Sequence, residues 1–175
     1  MPAEIEYTGK DSDRGKGRPG KATAQDFDDG RQGMHKLFVE SKLISATDFD
    51  IYWPSVDLSE SPSQPMEPFI GVLAAKALVP ADQSRKLLCE KTRLGYLPID
   101  KYDVDMELAR KYPKDVCRRW CVLPFDSLSK AVLVATANPF NKQAARELEQ
   151  AASGRIVWYL SPPAELVKAL KKSFR

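Results

Sequence analysis

Three short apolar segments in the C-terminal half constrain the fold of this chain more than any other feature. Residues 121–125, 131–137 and 155–160 each have the length and the apolar character of buried strands. Asn138-Pro139 follows the second segment and is typical of a helix start, since Asn caps helices and Pro is tolerated at the first helical position. This order of strands and helix predicts an α/β unit over residues 99–160.

Helical patterns precede and follow these segments. Asp105 is expected to cap a helix over residues 106–111, and Pro113 is expected to begin the next one. Residues 161–175 predict an amphipathic helix with a basic last turn, which complements the helix dipole. Residues 97–100 are expected to form a short strand or an extended entry to the unit.

Two segments that precede this unit resemble each other, residues 35–48 and residues 70–83. Each contains an apolar helix, a Lys, two aliphatic residues, and then a Ser or Pro that opens another helix. In the first segment, Ser45 and Asp48 have the spacing of a capping box. A loop rich in Pro and Ser over residues 59–68 separates the two. The repetition suggests a duplicated helix-turn-helix unit, although two copies of modest identity also arise by chance.

These patterns predict an α+β fold, in which an N-terminal helical subdomain is followed by a small mixed sheet of three or four strands flanked by helices. Residues 1–33 are expected to be a disordered arm, because no apolar run there offsets the entropy of ordering the chain. Order is expected from about Met34, and the helical subdomain with its degenerate duplication spans residues 34–93. The α/β subdomain then spans residues 94–175.

Composition and charge exclude several classes of function. A hydrophobic content of 43% suffices for a core, whereas a net charge of +3 is too small for a dedicated nucleic-acid binder. The longest apolar stretches fall well below the roughly 18 residues that span a bilayer. The N-terminus lacks the basic and apolar regions of a secretory signal, so a cytoplasmic location is expected.

Two motifs in the arm suggest nucleotide or DNA binding, and the residues around them argue against both. Residues 15–22 nearly match a phosphate-binding loop, but Ala22 replaces the hydroxyl that would bind magnesium, and no apolar strand precedes them. Residues 16–19 contain the Gly-Arg-Pro core of AT-hook peptides, which bind the minor groove of DNA. Acidic residues on both sides would repel phosphates, so a solvated arm is favoured and weak DNA tethering remains an alternative.

The chain offers few residues for catalysis or metal binding. His35 is the only histidine, and it cannot anchor a catalytic triad unaided. Three cysteines could join it in a zinc site, but no CxxC pair supports one, so reduced, buried thiols are favoured for Cys89, Cys117 and Cys121.

A cluster of acidic residues has a spacing that suits turns and helix caps better than a metal site: Asp100, Asp103 and Asp105. We therefore predict no catalytic, cofactor-binding or metal-binding residue. The chain is expected to have no enzyme activity and no cofactor.

Residues 71–174 resemble the N-terminal domain of the type II secretion and type IV pilus assembly ATPases. The matching features, in order, are Leu78-Val79 before a helix, Leu97-Pro98-Ile99-Asp100, Arg118-Arg119-Trp120 at a helix end, Val122-Leu123-Pro124-Phe125, Ala135-Thr136-Ala137-Asn138-Pro139, and a final helix over residues 163–174. The resemblance implies a non-catalytic domain that precedes a motor domain and docks on cytoplasmic parts of the inner-membrane platform. No Walker motif is found in the sequence, so ATP hydrolysis is not expected.

One branch of that family binds cyclic di-GMP through a duplicated Arg-Leu-Gly motif, in which Arg pairs with guanine and Gly admits close approach of the backbone. The equivalent triplets are Gly33-Met34-His35 and Pro68-Phe69-Ile70, and neither keeps the Arg or the Gly in its place. Lys91 stands where the family often has a closing Gln. The apolar scaffold is retained at Leu37, Leu43, Leu73 and Leu78. The resemblance thus implies a retained fold whose ligand binding is lost or altered.

We therefore predict a non-catalytic regulatory and docking module of a type II secretion or type IV pilus-like ATPase system. Its expected partners are other machinery proteins at the cytoplasmic face of the inner membrane, with a downstream ATPase domain as a further candidate. Cyclic di-GMP, nucleic acid and membrane insertion are not expected. Two alternatives stay open, namely sensing of cyclic di-GMP or another nucleotide, and weak DNA tethering through the arm.

Overall fold

The computed structural model describes residues 28–152 and 154–175, in which eight α-helices accompany one four-stranded sheet. The helices are α1 (Arg31–Glu40), α2 (Ala46–Tyr52), α3 (Phe69–Ala75), α4 (Ala81–Thr92), α5 (Met106–Ala109), α6 (Lys114–Trp120), α7 (Lys142–Ala151) and α8 (Pro163–Ser173). The strands are β1 (Gly95–Tyr96), β2 (Val122–Leu128), β3 (Ala131–Thr136) and β4 (Arg155–Leu160), and a short 3₁₀ helix covers Ile99–Lys101. This arrangement confirms the predicted α+β fold with a helical part and a small mixed sheet.

The sheet has the strand order β1-β4-β3-β2. Strands β2 and β3 form an antiparallel hairpin, whereas β4 runs parallel to both β3 and β1. Helix α7 connects the parallel strands β3 and β4, as a crossover between parallel neighbours requires. The strand predicted at residues 155–160 is confirmed, and the other two predicted strands agree with β2 and β3 apart from their ends.

The free edge of β2 is protected against further pairing. Pro124 has no backbone N–H to offer, and a bulge interrupts the register between Pro124 and Asp126. The backbone N–H of Asp105 donates to the carbonyl of Phe125 at 2.9 Å. Because unpaired strand edges promote aggregation, these features keep the edge closed to other chains.

Helix caps decide several of the boundaries. The Ser45 hydroxyl accepts from the Asp48 N–H at 3.1 Å, and the Asp105 carboxylate accepts from the Leu108 N–H at 3.1 Å. Both caps agree with the sequence prediction. Helix α5 is shorter than predicted, because it ends at Ala109.

The helix start predicted at Asn138-Pro139 is wrong. Helix α7 begins at Lys142, and its cap is Asn141, whose side chain accepts from the Ala144 N–H at 2.9 Å. Asn138 instead accepts from the Phe140 N–H at 3.2 Å, which forms a turn, and its amide donates to the carbonyl of Asp29 at 2.8 Å. The long-range bond to Asp29 holds Asn138 outside the helix.

Two further boundaries differ from the prediction. Helix α1 begins at Arg31, three residues before the expected start of order at Met34. The extended entry predicted over residues 97–100 is displaced, because β1 occupies Gly95–Tyr96 and the chain then turns into the 3₁₀ helix. The phosphate-loop and AT-hook motifs, and the arm as far as residue 27, lie outside the described residues.

The core is continuous across the predicted boundary between residues 93 and 94. Its largest fully buried side chains come from both sides of that boundary: Met34, Phe38, Phe49, Ile70, Leu73, Leu88, Ile99, Trp120, Leu123, Phe125, Leu148 and Leu160. Backbone bonds also cross between the parts, as when the Gln143 N–H donates to the carbonyl of Asp28 at 2.8 Å. Within the described part of the chain, every helix is too short or too polar to span a bilayer.

Candidate ligand grooves and docking surface

Helices α1 and α3 end in the same backbone motif. Lys42 and Ala77 have left-handed backbone conformations with φ values of 63° and 58°. The N–H of each donates to the carbonyl three residues earlier, at 3.0 and 3.1 Å. The N–H of the following residue, Leu43 or Leu78, then donates to the carbonyl of Phe38 or Leu73, at 3.1 and 2.9 Å. Both ends are therefore Schellman motifs, and both lack the Gly that normally relieves the left-handed residue.

The equivalent positions around these turns are 35 residues apart along the chain. Ile44 and Val79 follow the two turns and are both buried. Phe38 and Leu73 are fully buried one turn before the end of each helix. The recurrence of turn, buried aliphatic residue and following helix supports the proposed duplication of residues 35–48 and 70–83.

The two turns contribute to one open groove, which we call the turn groove. It has a volume of about 430 Å³ and is lined by Val39, Lys42, Leu43, Ile44, Ser45, Asp48 and Leu78. Its floor is aliphatic, whereas Lys42 and Asp48 place opposite charges at its rim. Leu78 is 37% exposed there, and Ile51, one helical turn beyond Asp48, is 62% exposed.

A second groove, which we call the Lys91 groove, lies on the outer face of α1. It has a volume of about 450 Å³ and is lined by Gly33, Lys36, Leu37, Glu40, Ser41, Lys91 and Phe140. It brings together Gly33 of the first triplet and Lys91, which the resemblance places at the closing Gln. Phe140 closes one end so tightly that a Cβ on Gly33 would lie 2.7 Å from its ring.

The side chains of the two triplets mostly face the core and not a groove. Met34, Phe69 and Ile70 are at most 2% exposed. His35 is half-buried, and its ring meets that of Phe49 edge to face with the ring centres 4.8 Å apart. The described residues at these positions thus pack as an aromatic and aliphatic interior, with no guanidinium in the triplets themselves.

Arg31 is a cation beside the first triplet that sequence reasoning missed, since it was assigned to the disordered arm. Its guanidinium pairs with Asp50 at 2.7 Å and lies 6.0 Å from the centre of the Phe49 ring. It lies two residues before the position where the family motif has Arg. Only knowledge that α1 starts this early could have drawn attention to it.

The cysteines and acidic residues are dispersed. Among the described residues, no group of three or more His, Cys, Asp or Glu side chains could hold a metal ion. All three cysteines are free, and burial raises the pKa of the Cys117 thiol to about 12, as burial also raises that of Cys121. Such protonated thiols are poor nucleophiles and poor metal ligands.

The aspartates of the predicted cluster have separate positions. Asp105 caps α5, whereas Asp100 lies 3.7 Å from the Lys168 ammonium on α8. Asp100 and Asp103 also line an open cavity of about 300 Å³, together with Lys168 and Lys172. The mixed charges there point to surface ion pairing, which contributes little to stability.

Residues 92–175 match the MshEN domain. This match confirms the resemblance to the N-terminal domains of secretion and pilus ATPases. The matched residues run from the end of α4 through the sheet to α8, so they contain the whole α/β part of the chain.

Two solved structures share the fold over a longer stretch. A structure of MshE with cdg, that is, cyclic di-GMP, has a TM-score of 0.55 at 15% identity and covers 81% of this chain and 98% of the other. The N-terminal domain of XpsE has a TM-score of 0.50 at 11% identity and covers 86% and 97%. The likeness therefore extends beyond the MshEN domain into the helical part. Comparison with curated protein sequences found no match.

Proposed function

We propose that this chain is a non-catalytic docking and regulatory module of a type II secretion or type IV pilus-like ATPase system, acting at the cytoplasmic face of the inner membrane. The observation that carries the proposal is the MshEN match over residues 92–175. The shared fold of the XpsE N-terminal domain, covered over 97% of its length, supports it.

The rim of the turn groove is our candidate docking surface. Leu78 exposes an apolar side chain in this groove, which Lys42 and Asp48 also line. Ile51, one helical turn beyond Asp48 on α2, exposes a second apolar side chain. A small apolar centre with a polar rim is the usual anatomy of a protein interface. The division into an arm, a helical subdomain and an α/β subdomain that begins at residue 94 remains part of this proposal. Because α1 begins at Arg31, the helical subdomain includes residues 31–33, which the sequence had assigned to the arm. Docking is assigned to the helical subdomain.

The test is a binding measurement between the purified chain and the cytoplasmic regions of the inner-membrane platform proteins of the same system. We expect a complex by calorimetry, and Ile51→Asp should weaken it by at least about tenfold, as loss of a buried apolar contact does. Leu128→Asp is the matched control, since Leu128 is equally apolar and 68% exposed but lies at the end of β2. No binding to any platform region would refute the docking role, and equal effects of both variants would refute the location.

Sensing of cyclic di-GMP is the second candidate, because the solved MshE structure contains that ligand. This match weighs against the expectation from the sequence that cyclic di-GMP is not a partner. The Lys91 groove is our candidate site for the ligand, because it contains both Gly33 of the first triplet and Lys91. Titration with cyclic di-GMP at high micromolar concentration tests it. A heat of binding that is seen with the unaltered chain and disappears in Lys91→Ala would favour sensing. No heat of binding with the unaltered chain would exclude this candidate.

A further inference from the structure

Arg118, on α6, holds two segments that are far apart in the sequence. One terminal nitrogen of its guanidinium donates to the carbonyl of Pro62 at 3.3 Å, and the other donates to the carbonyl of Phe174 at 2.7 Å. Pro62 belongs to the loop over residues 59–68 that separates the two helix-turn-helix units. Phe174 follows the last residue of α8. The planar fork of a guanidinium suits it to bridge two carbonyls in this way.

Two neighbouring arginines each hold only one of these segments. Arg119 donates to the carbonyl of Glu60 at 2.9 Å, on the loop side, and also lies 4.0 Å from Glu147. Arg110 donates to the carbonyl of Ser173 at 3.0 Å, at the end of α8. Substitution of Arg119 or Arg110 therefore perturbs one segment directly and leaves the bonds of Arg118 to both segments in place.

Within the part of the chain that the structure describes, the carbonyls that these arginines engage accept no backbone hydrogen bond. The last carbonyls of a helix have no partner within the helix and carry partial negative charge, so a cation that donates to them stabilises the helix end. The loop needs external donors in the same way, because its three prolines prevent a regular ladder of hydrogen bonds. The Met66 N–H donates to the carbonyl of Arg118 at 2.9 Å, which fixes the loop to α6 at a further point.

We propose that Arg118 couples the loop over residues 59–68 to the C-terminal end of α8, so that displacement of one segment loosens the other. The idea rests on the proposed docking function, for which it supplies a route from the helical part to the far end of the MshEN domain. The coupling itself is a property of the chain without any partner. Experiments can therefore refute the coupling without refuting the docking function, and they can support the coupling even if the docking function is refuted.

The experiment measures amide hydrogen exchange, residue by residue, in the whole unliganded chain. The Met66 amide reports on the loop, and the Phe174 amide, bonded to Leu170 at 3.0 Å, reports on the end of α8. In Arg118→Gln both amides should exchange roughly tenfold faster, because a hydrogen bond to a charged group is lost at each segment. Arg118→Lys retains the charge but not the fork, and should give a smaller increase at both sites.

The decisive measurement uses variants of Arg119 and Arg110, each of which bonds to only one of the two segments. Arg119→Gln should accelerate exchange of the Phe174 amide by at least about threefold when Arg118 is present, and should have no effect on it in the Arg118→Gln background. Arg110→Gln should act on the Met66 amide in the same way. If Arg119→Gln leaves the Phe174 amide unchanged in the presence of Arg118, the coupling is refuted. Should Arg118→Gln fail to fold, the same comparison in the Arg118→Lys background decides the question.

Discussion

The two helix-turn-helix units share a backbone turn but differ in what fills the space behind it. The first unit contains Phe49, which is fully buried and stacks on Trp53 with ring centres 5.2 Å apart. The equivalent position of the second unit is Ser84, which is also fully buried and whose hydroxyl has no hydrogen-bond partner among the described residues. The turns at Lys42 and Ala77 are nevertheless the same. The turn geometry thus depends on backbone hydrogen bonds and the buried aliphatic step, not on the aromatic packing.

The largest expected effect on stability comes from removing the buried aromatic ring of the first unit. Phe49→Ala should lower the free energy of unfolding by about 3–5 kcal/mol, because a buried ring is replaced by a cavity. Urea unfolding followed by tryptophan fluorescence and by circular dichroism measures it. Because the core is continuous, both probes should report one transition at the same midpoint. Separate transitions would show that the helical units melt independently of the sheet.

The dependence of stability on alkaline pH tests the α/β part of the chain, which contains the buried thiol of Cys117. Burial raises the pKa of the Cys117 thiol from 9.0 to about 12. In the unfolded chain the thiol ionises near pH 9, whereas in the folded chain it stays protonated at that pH. Its contribution to the free energy of unfolding is therefore complete below pH 9 and is lost as the pH rises toward the folded-state pKa. The free energy of unfolding should therefore fall by about 1.4 kcal/mol per pH unit per buried thiol above pH 9.

The control for this pH dependence is Cys117→Ala, in which the slope of stability against pH should be shallower by one thiol's share. Cys121 is buried as well and should retain its own share. An unchanged slope in the variant would contradict the assignment of the pH dependence to Cys117.

The equivalence of the two turns is tested by replacing Lys42 and Ala77, which have left-handed backbone conformations, with Gly. Lys42→Gly and Ala77→Gly should each raise the free energy of unfolding by about 0.5–1 kcal/mol, since Gly adopts a positive φ without a steric penalty. The gains should agree within roughly 0.5 kcal/mol and should add in the double variant. Thermal and urea unfolding would measure them. A gain at one turn and a loss at the other would break the comparison between the units.

The smallest expected effect concerns the buried hydroxyl of the second unit. Ser84→Ala should leave the stability unchanged or raise it by up to about 1 kcal/mol, because an unpaired buried polar group is removed. Ser84→Thr is the matched control, since it retains the hydroxyl and adds a methyl group. A loss of more than 1 kcal/mol in Ser84→Ala would mean that the hydroxyl has a partner in solution.

Local sequence signals predicted much of this fold. The caps at Ser45 and Asp105 and the strand over residues 155–160 depend on neighbours within a few positions, and all three were predicted. Asn138 shows the limit of prediction from local patterns. Its side-chain amide donates to the carbonyl of Asp29, which is 109 residues away in the sequence. A local pattern contains no information about such a bond.

The candidate site was less accessible to prediction for the same reason. The turn groove forms where the end of α1 meets α2 and the end of α3, and the Lys91 groove forms where α1 meets α4 and the loop before α7. Their lining residues therefore come together only in the folded chain. The triplets could be placed by resemblance, but the sequence could not show that Met34 and Phe69 would be buried. Likewise, nothing near Arg118 in the sequence indicates that it bonds both to the loop and to the end of α8.

The three residues from Asp28 to Gly30 determine how far the chain can be shortened. The carboxylate of Asp29 accepts from the Trp53 indole N–H at 3.2 Å, and its carbonyl accepts from the Asn138 amide. Gly30, with φ of 89°, approaches Asn138 so closely that a Cβ there would lie 2.6 Å from the amide oxygen. A truncated protein that starts at Met34 would leave an indole and an amide donor without these acceptors. The smallest stably folded fragment should therefore begin no later than Asp28.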